Sequence, residues 1–175
     1  MQHRHTLSVL VIDHPGVLQR VAALFGRRGF NIDSITVGSS EETGLSRMVV
    51  VTIGDDRIMH QVISQVEKLV DVVSVDTLSE KSMVARELAL IKVSAQTTQR
   101  PEIMTLAETF RATVADVGPD SLVVQVVGDT EKIEAMVELL RPYDIIEICR
   151  TGVTATTRGR TGTAFSTGAV MIPHE

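Results

Sequence analysis

Two kinds of apolar spacing alternate along this chain in a fixed order, and the order occurs twice. Residues 4–12 are rich in β-branched side chains and read as a strand. Residues 15–28 carry Val17, Leu18, Val21, Leu24 and Phe25 at helical spacing, and Gly29 stops them as a C-cap glycine does. Strand patterns return over 30–39 and 45–53, joined by the polar segment 38–44. A helix follows over about 56–69, with Ile58, Met59, Val62, Ile63, Val66 and Leu69 on one stripe, and a strand over 70–78. The second half repeats the plan: strand 88–95, helix 100–110, strands 113–117 and 122–127, helix 130–140, strand 144–149. Gly54-Asp55 and Gly128-Asp129 are the sharpest local echo, each carrying a strand into a helix. Two βαββαβ units make an α+β protein of two ferredoxin-like domains in tandem. The domains are expected at 1–78 and 86–158, with a polar linker over 79–85 and a tail over 159–175. From Thr151 onward the chain turns Gly-, Thr- and Arg-rich, which reads as flexible.

Charge and composition exclude several functions. Seventeen basic against twenty-two acidic residues give a net charge of −5, which argues against a general nucleic-acid binder. Base stacking on a sheet of this type needs paired aromatics in mid-strand, and Phe25, Phe30, Phe110, Tyr143 and Phe165 are not so placed. No apolar run approaches the ~20 residues that cross a bilayer. Cys149 is the only cysteine, so no internal disulfide forms; it reads as a small core residue. A cytoplasmic protein without a signal peptide is expected. His3 and His5 share one side of a strand, but no acid or thiol joins them at ligand spacing, so no metal site is expected. Nor does any Ser, His, Cys or carboxylate constellation suggest catalysis.

One segment carries chemistry. Asp13-His14-Pro15-Gly16-Val17-Leu18 closes the first strand and opens the first helix. Pro15 suits a first helical turn, where its missing N–H costs nothing. Gly16 leaves the neighbouring backbone N–H groups uncovered, and such groups attract carboxylates. The plain alternative is a capped helix after a tight turn. Domains this small bury only ~60% of their unfolded surface and leave a sheet edge or face open, so a homodimer is expected.

The chain resembles the small regulatory subunit family of acetolactate synthase (acetohydroxyacid synthase). The likeness rests on TLSVLVIDHPGVLQRVAALF at 6–25, RRGFNIDSITVG at 27–38, LSRMVVV at 45–51, VDVVSVDTL at 70–78, RELALIKV at 86–93 and RTGVTATTRG at 150–159. It implies an N-terminal ACT domain that binds a branched-chain amino acid, most often valine, where two domains of a dimer meet. It further implies a large catalytic partner subunit, which holds thiamine diphosphate, magnesium and FAD; this chain holds no cofactor and has no catalytic residues of its own. By position, Gly16, Val17 and Leu18 would offer amides to the effector carboxylate. Asp13 and Asn31 would face its polar atoms, and Ile32 would line the apolar pocket. Asn31, at the far end of the sheet from Gly16, would complete a partner's site. Family members often carry Asn where Asp13 stands, so Asp13 can pair with the effector ammonium instead. A stand-alone amino-acid-sensing ACT module controlling another enzyme or transcription is the alternative.

Overall fold

The computed structural model describes residues 2–159. They form two compact units, one of residues up to Val84 with the chain from Ala155, the other of Ala85–Thr154.

In the first unit the elements run β1 (Gln2–Ile12), α1 (Val17–Arg27), β2 (Ile32–Ser39), β3 (Leu45–Asp55), α2 (Asp56–Val66) and β4 (Val72–Thr77). The sheet is antiparallel in the order β2-β3-β1-β4, the ferredoxin-like arrangement expected. Leu7, Val9 and Val11 of β1 alternate onto one face, with Met48 and Val50 of β3 beside them. Val17, Val21, Leu24 and Phe25 of α1, and Met59, Val62 and Val66 of α2, close that face into a core. Alternate positions on the opposite face, Thr6, Ser8, Leu10, Val49 and Val51, are buried too. Burial on both faces explains why these strands read as unbroken apolar runs.

In the second unit β5 (Met83–Ser94), α3 (Arg100–Thr109), β6 (Thr113–Val117), β7 (Ser121–Gly128), α4 (Thr130–Leu140) and β8 (Ile145–Arg150) repeat the plan. The order β6-β7-β5-β8 matches the first sheet position for position. Its core joins Ala89, Ile91, Val93, Leu122, Val124 and Val126 to Ile103 and Ala107 of α3 and to Ile133, Met136, Val137 and Leu140 of α4.

Four expectations need correction. First, the linker placed at 79–85 is mostly structured: Leu78–Glu80 makes one 3₁₀ turn and β5 begins at Met83. Second, part of the segment read as flexible is a strand, β9 (Thr154–Thr157), paired with β5. The two corrections share a cause. β7 and β8 pair with β5 only from Glu87 onward, so the start of β5 would otherwise be bare. The returning chain occupies it, and the Arg158 N–H donates to the Ser82 carbonyl (2.9 Å). Third, Pro15 lies outside α1, which starts at Val17 with Gly16 as its N-cap. Fourth, Cys149 is exposed: it sits on β8 opposite Leu90, whereas the core-facing positions of β5 are Ile91 and Val93. Apart from Gly159, the expected tail lies outside the described residues.

Candidate functional site

The turn between β1 and α1 is fixed by backbone bonds first. Ile12 N–H donates to the Asp71 carbonyl (2.8 Å), and Asp13 N–H donates to the Gly44 carbonyl (2.8 Å). The chain then reverses, and Gly16 enters the helix at φ +89°, a left-handed conformation open chiefly to glycine. A Cβ at Gly16 would meet nothing within 4 Å, so the backbone angle, and not packing, calls for glycine here.

A helix start leaves four N–H groups without intrahelical partners. At α1, Val17 N–H leans on the His14 carbonyl (3.4 Å), and no side chain caps the helix. Among the described residues the amides of Gly16, Leu18 and Gln19 have no partner. Asp13, Gly16 and Leu18 are exposed around them, while the Val17 side chain is committed to the core. Of the three amides singled out in the sequence, those of Gly16 and Leu18 are uncovered and that of Val17 is partly engaged; the Gln19 amide is uncovered as well. Uncovered amides at the positive end of a helix suit a carboxylate.

Beside this turn lies a group that sequence reading passes over. The carboxylate of Asp71, just before β4, is buried and accepts from His14 Nε2 (2.6 Å) and from Arg20 Nη1. His14 Nδ1 donates to the Pro15 carbonyl (3.0 Å). One carboxylate thus ties the turn to the first helix. Burial pushes the Asp71 carboxyl up, but the hydrogen bonds from His14 and Arg20 outweigh it, and the net direction is down. The Pro15 carbonyl, then Asp71, raise the His14 pKa. His14 stands inside the motif, but Asp71 is 57 residues away, and no local signal joins the two.

Asn31 and Ile32 lie elsewhere. Ile12 at the Gly16 end pairs with Leu45, and Ile32 pairs with Thr52. The seven residue steps from Leu45 to Thr52 on β3 span about 24 Å at a strand's rise. Asn31 is exposed, and its carbonyl accepts from Thr52 Oγ1 (2.7 Å). Ile32 is half-buried against the core. Within one chain these two residues do not meet the Gly16 turn. Among the described residues no group of His, Cys, Asp and Glu has metal-holding geometry.

Two ferredoxin-like units, the first opening its helix on a bare glycine turn, define a protein of the tandem ACT type. Residues 7–74 match the family model of the AHAS small subunit-like ACT domain, and residues 86–159 match that of the small subunit of acetolactate synthase. The probable acetolactate synthase small subunit of Methanothermobacter thermautotrophicus is 51% identical over 156 residues, covering 89% of this chain and 93% of that protein. The acetolactate synthase small subunit of Bacillus subtilis is 45% identical over 170 residues, covering 97% and 99%. The crystal structure of the acetolactate synthase small subunit from Thermotoga maritima superposes with a TM-score of 0.82 at 44% identity, over 90% of this chain and 98% of that one. The chain belongs to the acetolactate synthase small-subunit family.

Proposed function

We propose that this chain binds a branched-chain amino acid, valine first among them, and thereby controls a thiamine-diphosphate-dependent acetolactate synthase large subunit. The observation that carries the reading is the trio of unpartnered amides at Gly16, Leu18 and Gln19, exposed at an uncapped helix start. They would take the effector carboxylate. Asp13, exposed beside them, would take its ammonium group. The effector site is completed by Asn31 and Ile32 of a second copy, since the strand length between the two ends keeps them apart within one chain. The domain of residues 1–78 is thus both the sensing and the dimerising half. On binding the large subunit, the small subunit raises its rate, and the effector withdraws that gain. The chain carries no catalytic group, and the cofactors belong to the partner. Its place is the cytoplasm, where its lone thiol stays reduced.

Reconstitution with an acetolactate synthase large subunit tests this. Rate should rise on mixing and fall with added valine. Gly16→Asp sets a carboxylate against the amides that the effector needs, so it should abolish the fall and keep the rise. Retained valine sensitivity in that variant, or no heat with any branched-chain amino acid, overturns the reading.

A further inference from the structure

His14 stands two residues before Gly16, and its backbone is part of the turn: its N–H donates to the Ile12 carbonyl (3.1 Å), and its carbonyl takes the Val17 N–H. The ring meets an acceptor on each side. Nδ1 lies 3.0 Å from the Pro15 carbonyl oxygen, and Nε2 lies 2.6 Å from Asp71 Oδ1. A carbonyl oxygen only accepts. The Asp71 carboxylate also takes Arg20 Nη1, and these bonds hold it ionised, so it too only accepts. A neutral imidazole has one N–H and one lone pair, and here its lone pair would face an oxygen. Imidazolium alone donates at both nitrogens, so the arrangement is that of the charged ring.

The bond at Nδ1 matters because of the carbonyl it holds. Pro15 C=O and Gly16 N–H belong to one planar trans peptide and point in opposite directions across it. Among the described residues nothing but the His14 ring donates to that carbonyl. Holding the carbonyl therefore aims the Gly16 N–H, one of the three uncovered amides. Loss of a proton from the ring must give up one of its two bonds. The charged acceptor keeps the N–H, because a bond to a carboxylate is stronger than one to a carbonyl. Nδ1 then turns a lone pair on the Pro15 oxygen, and the peptide plane is no longer held. The same loss removes a positive charge from beside the amides. Both changes work against a bound carboxylate. The charged groups that act on the ring are Asp71, before β4, and Arg20, on α1. With its side chain 35% exposed, the ring exchanges protons freely with solvent.

From this geometry we propose that effector binding at the Gly16 turn is linked to a proton: His14, as imidazolium, positions the Gly16 amide for the effector carboxylate, and the effector binds with uptake of a proton at this ring. The inference rests on the proposed effector site and adds a regulator to it. His14 is a positioning residue, since it acts through the Pro15–Gly16 peptide. Its pKa in the folded chain is raised, first by the Pro15 carbonyl and then by Asp71. Effector affinity is therefore full below the ordinary histidine value near 6.5 and declines as pH rises through the folded value.

The test is calorimetry of L-valine, L-leucine and L-isoleucine with the full chain from about pH 6 to about pH 8.5, each point in two buffers of different ionisation enthalpy. The wild type should bind its effector at least about fivefold more tightly at the acid end, the lower bound of a typical coupling. At intermediate pH the heats in the two buffers should differ in the sense of proton uptake. His14→Gln has no charge to lose, so it should bind with one affinity throughout, near that of the wild type at the alkaline end, and take up no proton. The comparison of the two proteins cancels the titration of the effector itself. The wild type alone reports the uptake, so the result does not hang on the folding of the variant. Equal affinity across the range in the wild type, or a pH dependence and proton uptake that persist in His14→Gln, overturns the proton link and leaves the effector site standing. No heat with any of the three amino acids at any pH overturns the site and this inference with it.

Discussion

Asp71 holds the Gly16 turn twice, through its carbonyl to Ile12 and through its carboxylate to His14 and Arg20. The carboxylate is buried, whereas both cations reach solvent, so their attraction is screened on one side only. Asp71→Asn keeps the shape and removes the charge. It should cost about 1.5–3 kcal/mol in urea unfolding, the range for hydrogen bonds to charged groups. The loss should also depend on pH. His14 has a raised pKa in the folded chain, so its contribution to stability is complete below its ordinary value near 6.5 and fades as pH rises through the folded value. Asp71 has a lowered pKa, so its contribution is complete above its ordinary value near 3.8 and fades as pH falls through the folded value. His14→Gln should therefore destabilise the chain near pH 5.5 and hardly at all near pH 9. Thermal melts at the two pH values check this, and an equal loss at both would show that the imidazolium plays no part.

The elements carry the signals that made the fold legible. Gly54-Asp55 and Gly128-Asp129 read alike in sequence, and the structure uses them alike. Asp55 accepts from the Arg57 N–H (2.9 Å), and Asp129 accepts from the Lys132 N–H (2.9 Å), each as the N-cap of the helix that follows. Asp55→Ala and Asp129→Ala should each cost about 1 kcal/mol, the usual worth of such a cap. The caps belong to separate units, so the double variant should lose close to the sum; a markedly different total in denaturant melts would reveal coupling. The glycines before them differ in a way that sequence hides. A Cβ at Gly54 would stand 2.8 Å from the Phe30 ring, and one at Gly128 would meet the Lys132 side chain. Gly54→Ala must move a ring packed on the core and should cost about 1–3 kcal/mol by the same melts. Gly128→Ala must displace the half-buried Lys132 side chain from its base and break its Nζ bond to the Val127 carbonyl (2.8 Å), and should cost a similar amount. Periodicity and punctuation thus disclosed every α-helix and strand through β8, though not the 3₁₀ turn Leu78–Glu80 or the true start of β5. They did not disclose β9, whose pairing answers a bare stretch of β5 more than sixty residues earlier. Helix-start amides were legible because proline, glycine and helical spacing are local. The Asp71 link to His14 was not, because it joins residues brought together only by the sheet.

At the scale of the molecule, inhibition requires that the effector tell two states of the assembly apart, since equal binding to both shifts nothing. In the proposed site, the uncovered amides of one copy and the Asn31 end of another would supply a physical basis. Each effector molecule in the proposed site would contact both chains, and so favours the one arrangement that brings the two ends together. If that arrangement meets the large subunit differently, effector binding and subunit association share one coupling free energy, typically about 1–3 kcal/mol. Saturating valine should then change the affinity of this chain for the large subunit by about 5- to 150-fold, and the large subunit should change the affinity for valine by the same factor. Titrations of subunit association with and without valine measure the first factor, and valine calorimetry with and without large subunit the second. In Gly16→Asp both should fall to one, while Asp71→Asn, which loosens the turn and leaves its amides in place, should fall between. Valine inhibition of the reconstituted enzyme with an unchanged association constant would show instead that the effector acts on the rate of the chemical step within an assembly equally stable in both states.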